Sequence, residues 1–122
     1  MDRKEIEIEV ARALDRLPEE FRARIHNVEI VVEKQPTKKR LQALGLDPDE
    51  DILYGLYEGT PLSDRSMSYP PLLPDKITIF SEPLMRDFPD ARERRRQIRL
   101  TVVHEIAHYF GMDDEEIEDL GY

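Results

Sequence analysis

The sequence predicts an α+β fold in which a small mixed sheet of about three or four strands packs with an N-terminal helix and a long helix near the C-terminus. Three observations carry this reading. Residues 2–17 set Ile6, Val10, Ala13, Leu14 and Leu17 at helical spacings of three and four, with charged residues between them. Three short runs, 28–33, 52–58 and 76–80, are rich in β-branched and aromatic residues and are bounded by turn formers. The segment 90–110 begins polar, becomes apolar around most of its circumference and stops at Gly111. At 122 residues the chain is expected to form one domain over 1–122, long enough to bury a core without disulfides.

Taken in order, the first helix should end at Leu17-Pro18, because proline restricts the residue before it. A short turn through Glu19, Glu20 and Phe21 comes next. Val28 to Glu33 reads as the first strand, with His26 just ahead of it as a loop histidine of structural or exposed type. Residues 37–46 suggest a short helix closed by Gly45, and Asp47 to Asp51 form an acidic loop without the ligand spacing of an EF-hand. The second strand spans Ile52 to Glu58, where Gly55 and Gly59 mark either a bend or a close backbone approach. Prolines 61, 70, 71 and 74 forbid regular structure across 60–74, a length that suits a cleft wall, a lid or a plain connector. Lys76 to Phe80 is the third strand. Ser81-Glu82-Pro83 then turns the chain into a helix.

The bulk numbers exclude several classes. Hydrophobic residues make up 39% against 37% charged, and no apolar run approaches the length of a membrane span. A net charge of -9 disfavours nucleic acid, whose phosphates the average field would repel. The first residues lack the apolar core of a secretory signal, so a cytoplasmic location is expected. Without cysteine there are no thiolate ligands. Arg92, Arg94, Arg95, Arg96 and Arg99 form a basic cluster, and Asp113, Asp114, Glu115, Glu116, Glu118 and Asp119 an acidic one. Both read as solvated surface that partly neutralises itself across the fold, the sharper alternative being a docking patch for an acidic substrate or partner.

Chemistry concentrates at 104–114. On a helix, His104 and His108 leave the same face one turn apart and can share one metal ion, while Glu105 lies about 100° round and can hold a water beside it. A catalytic zinc takes three protein ligands and keeps one position for water. Gly111 can terminate the helix in the left-handed region, after which Asp114 can swing back as the third ligand. Asp113, Glu115, Glu116 and Glu118 crowd the same segment, and His26 is a further alternative.

The pattern H-E-x-x-H-x-x-G-x-x-D resembles that of the zincin metallopeptidases, in the aspartate-ligand form of the metzincin branch. With its N-terminal helix, the strands at 53–59 and 77–80 and the motif helix near the C-terminus, the chain is similar to a small bacterial family of minimal zincin-like proteins. The resemblance implies a minimal zincin-like fold, Zn2+ as cofactor, peptide or protein substrates, and an edge strand above the metal to which substrate backbone pairs, here assigned to 76–80. One departure is that no methionine follows Asp114, so a metzincin methionine turn is absent and the floor of the site must be built otherwise.

The resulting expectation is peptide hydrolysis, as a metalloendopeptidase before an exopeptidase, with His104, His108 and Asp114 as metal ligands and Glu105 as general base. Tyr69, Tyr109 and Tyr122 are oxyanion candidates by residue type, though Tyr109 also fits the core. The alternative is a catalytically weak or inactive zinc-binding regulatory module. Oligomeric state is not legible.

Overall fold

The computed structural model describes residues 3–59 and 75–121. Its elements are α1 (Arg3–Asp15), α2 (Glu19–Arg22), β1 (Val28–Glu33), α3 (Lys38–Ala43), β2 (Gly55–Glu58), β3 (Asp75–Phe80), α4 (Ser81–Asp87), α5 (Ala91–Tyr109) and α6 (Asp114–Asp119). Local chemistry accounts for the helix starts. Thr37 Oγ1 accepts the Arg40 N–H at 3.1 Å to begin α3, and the Asp90 carboxylate accepts the Glu93 N–H at 2.9 Å to begin α5. The 60–74 segment, with its expected lid or wall, lies outside the described residues. Among the described residues no helix is long and apolar enough to cross a membrane.

The three strands form one mixed sheet in the order β1-β3-β2. β1 runs parallel to β3, with Ile30 opposite Ile77, and β2 runs antiparallel to it, with Tyr57 opposite Ile77. This corrects one expectation. The strand at 76–80, assigned to a substrate-pairing edge, is the central strand. Ile77, Thr78, Ile79 and Phe80 are all fully buried, so both faces are covered, as a middle strand requires. Among the described residues the sheet edge beside α5 belongs to β2.

Ile77 and Ile79 turn one face of the sheet toward Ile6, Val10 and Ala13 of α1 and toward Ile98, Val102 and Ile106 of α5. The second half of α5 carries several β-branched residues, which are mediocre helix formers. Burial overrides that preference, because each fully buried aliphatic side chain contributes about 1.5–3 kcal/mol. On the opposite face Arg40 lies 5.9 Å from the centre of the Phe80 ring and bonds both Glu33 of β1, at 3.0 Å, and Glu58 of β2. One guanidinium thus ties together the two outer strands.

β2 lies directly on α5. A Cβ at Gly55 would meet Thr101 Cγ2 at 2.7 Å and Glu105 Cγ at 3.1 Å. Of the two readings of this glycine, close approach is the one realised. Gly55→Ala should therefore destabilise by about 1–3 kcal/mol through overpacking, and Gly55→Val by more, read from urea unfolding midpoints.

Candidate active site

The site is built from the last two turns of α5, the tight turn after them and the start of α6. His104 and His108 bring their ring centres to 4.8 Å, the planes inclined at 75°, and each side chain is a little over a quarter exposed. The helix then ends in a Schellman turn. Gly111 takes φ 93°, its N–H donates to the His108 carbonyl at 2.9 Å, and the Met112 N–H donates to the Ala107 carbonyl at 3.1 Å. This aims the Met112 carbonyl at His108, whose Nδ1 lies 3.0 Å away. A donor proton at Nδ1 leaves the Nε2 lone pair facing the cleft. Support for this imidazole comes from backbone, through the Met112 carbonyl.

Asp113 next opens α6 with a capping box, accepting the Glu116 N–H at 2.9 Å while the Glu116 side chain accepts the Asp113 N–H at 3.3 Å. Asp114, the first residue of α6, is thereby held against the histidines. Its Oδ1 lies 3.2 Å from His104 Nε2 and 3.1 Å from His108 Nε2. Two ligands about 2.0–2.1 Å from one zinc ion at a tetrahedral angle sit about 3.3 Å apart, so the spacing and the nitrogen-nitrogen-oxygen donor set both fit that ion.

Among the described residues, ligand atoms of His104, Glu105 and His108 also lie within 4.8 Å of one another. His26 is not in this group. Its backbone N–H instead meets the Tyr109 hydroxyl, at 3.3 Å. Tyr109 is fully buried and donates to the carbonyl of His26 or Arg24, at 3.2 and 3.4 Å, so it ties α5 to the chain entering β1 rather than facing a substrate. Tyr69 and Tyr122 lie outside the described residues.

Glu105 is almost fully buried between α5 and β2. Desolvation raises its pKa, against the opposing pull of His108 and His104 and a hydrogen bond from the Tyr57 backbone N–H. The ladder explains that last contact. The Phe80 N–H donates to the Tyr54 carbonyl at 2.9 Å, so by antiparallel alternation Tyr54, Leu56 and Glu58 bond to β3, while Gly55 and Tyr57 point their backbone groups away from it, toward α5.

The cleft has two adjoining parts that share His104 and Glu105. One, of about 600 Å3, is bordered by Leu53, Tyr57, Met112 and Asp114; the other, of about 280 Å3, by Tyr54, Gln97, Leu100 and Thr101. Tyr54 is locked as a neutral wall. Its hydroxyl donates to Asp87 Oδ2 at 2.6 Å, and burial together with that carboxylate pushes its pKa up to about 12. Tyr57, not singled out from sequence, lines the cleft and donates its hydroxyl to Asp75 Oδ2 at 2.6 Å. Its alternation with Gly55 on one strand face was the available signal.

A family model described as zincin-like metallopeptidase matches residues 25–122. The chain belongs to that family. A search of curated proteins gives no match. In this zincin-like metallopeptidase the matched span holds the whole sheet, α5 and α6, while α1 and α2 precede it.

The buried Glu105 carboxylate has a testable consequence. Its folded pKa is raised, so its contribution to stability is full below the unfolded value, near 4.3, and is lost as pH rises through the folded one. In the presence of chelator, Glu105→Gln should melt above the wild type at pH 7 to 8. The gap should close as pH falls to about 4, read by differential scanning fluorimetry.

Proposed function

We propose that this zincin-like metallopeptidase is a zinc-dependent endopeptidase, with His104, His108 and Asp114 as the metal ligands and Glu105 as the general base. The observation that carries the reading is the convergence of Asp114 Oδ1 on both Nε2 atoms at 3.1–3.2 Å. Glu105 is assigned the proton rather than the metal because its carboxylate is bonded from the strand side by the Tyr57 N–H. When bound, zinc would acidify a water and polarise the scissile carbonyl.

The chain's own groups divide the remaining work. Glu105 takes the proton released as water oxygen bonds to the carbonyl carbon, then gives it to the nitrogen as the C–N bond breaks, and so returns to its starting state. Its desolvated position favours accepting that proton. The edge of β2 away from β3 offers the backbone groups of Gly55 and the Tyr57 carbonyl to an extended peptide, taking the part first assigned to 76–80. The cleft continues on both sides of His104 and Glu105, which suits a chain cut internally.

Zinc content and hydrolysis of a quenched peptide library, measured on the same preparations, test this. Glu105→Gln should keep stoichiometric zinc and lose about 100-fold or more in turnover. His104→Ala should lose stoichiometric zinc, and Asp114→Asn should bind it more weakly. Zinc retention with no glutamate-dependent turnover on any peptide would replace the enzyme reading with that of a zinc-binding regulatory module.

A further inference from the structure

The face of α5 opposite the cleft carries a second feature. Arg92, Arg95, Arg99, Val103, Ile106 and Phe110 succeed one another at three- and four-residue steps, forming a stripe about 27 Å long that is basic in its first half and apolar in its second. α1 borders it along its length. At the basic end Arg12 of α1 and Arg16 just after it join Arg92, Arg95 and Arg99, so five guanidinium groups surround a hollow that contains one carboxylate, Glu9. Glu9 bonds Arg12 at 2.7 Å. Among the described residues no ion pair reaches Arg16, Arg92, Arg95 or Arg99, and none joins this cluster to the acidic residues of α6.

The apolar end is a groove of about 380 Å3 between α1, α5 and α6, walled by Leu17, Val103, Ala107 and Ile117 and sharing Arg16 and Arg99 with the basic hollow. Phe21 and Leu120 also line the groove, 39% and 63% exposed. Leu120 thus stands out from the core, whereas Ile117 one turn earlier is fully buried.

We propose that this groove docks a segment of a partner protein in which acidic residues adjoin large apolar ones. In a chain of net charge -9, a local excess of arginine is the complement of carboxylates. One carboxylate, as on a fatty acid, cannot satisfy guanidinium groups spread over about 10 Å of α5, whereas several side chains of one peptide can. Polarity also sets the direction. Asp114, Glu115, Glu116, Glu118 and Asp119 of α6 repel acid at the far end, so the apolar residues of the partner lie there and its carboxylates lie over the arginines.

The docking itself does not depend on the peptidase reading; its consequence for the cleft does. Ile117 shares α6 with Asp114, Leu120 caps the end of that helix, and Met112 borders both the groove and the cleft. An occupant of the groove bears on the helix that carries the proposed third ligand.

The test is selection of displayed random 16-residue peptides on the zinc-loaded full chain carrying Glu105→Gln, so that no peptide is cut, with anisotropy titration of the enriched sequences afterwards. They should combine an acidic end with Leu, Phe or Met. Arg95→Glu/Arg99→Glu should weaken binding about tenfold or more, and added salt should weaken it too. Leu120→Ser, at an exposed position, should weaken it several-fold, while Lys38→Glu on α3 should leave it unchanged. Failure to enrich any peptide, or equal binding to the arginine variant, overturns the proposal. So does dodecanoate binding more tightly than every peptide, or a dimer in sedimentation that Leu120→Ser dissolves, since a lipid or a second copy is then the occupant.

Discussion

The rotation of α5 about its own axis is the constraint on which the site depends. Ile98, Val102, Ile106 and Tyr109 are buried against the sheet and α1, and together they allow the helix one phase. A helix turns 100° per residue, so fixing that phase also fixes where His104, Glu105 and His108 point. Both imidazoles reach the cleft wall, while the carboxylate between them is driven under β2. The absence of a side chain at Gly55 lets the strand come close enough to cover it. Core packing and site geometry are therefore one set of contacts.

The turn after α5 does the remaining positioning with few atoms. Its two backbone hydrogen bonds reverse the chain, and the capping box of Asp113 and Glu116 starts α6 at once. Among the described residues of this short helix, Ile117 is the one buried in the core. Asp114 is 73% exposed at its side chain, in contrast to the buried Glu105. One carboxylate is thus held by the core and the other by a cap and a single apolar residue.

Much of this was legible from local signals. The helical spacing of His104 and His108, the stop at Gly111 and the burial of the second half of α5 all derive from short-range periodicity and glycine's freedom at positive φ. Strand order was not legible, because it is decided by pairing across long stretches of chain. Ile77, Thr78 and Ile79 suit an edge or a centre equally until their neighbours are known. α6 was hidden by its own acidity, although Asp113 and Glu116 have capping-box spacing. The arginine run misled in another way. Helical phase divides it, turning Arg94 inward to the carbonyls of Phe88 and Pro89 and pairing Arg96 with Glu93, which leaves Arg92, Arg95 and Arg99 on the outer face.

The hydrogen bond between Tyr57 and Glu105 carries one more implication. The amide that an incoming strand would use for pairing is already taken by the Glu105 carboxylate, the base proposed above. A peptide carbonyl settling on that amide would have to evict the side chain, and eviction would set it loose toward the histidines. On the proposed role of Glu105, arrival of a guest and arming of the base would then be the same event.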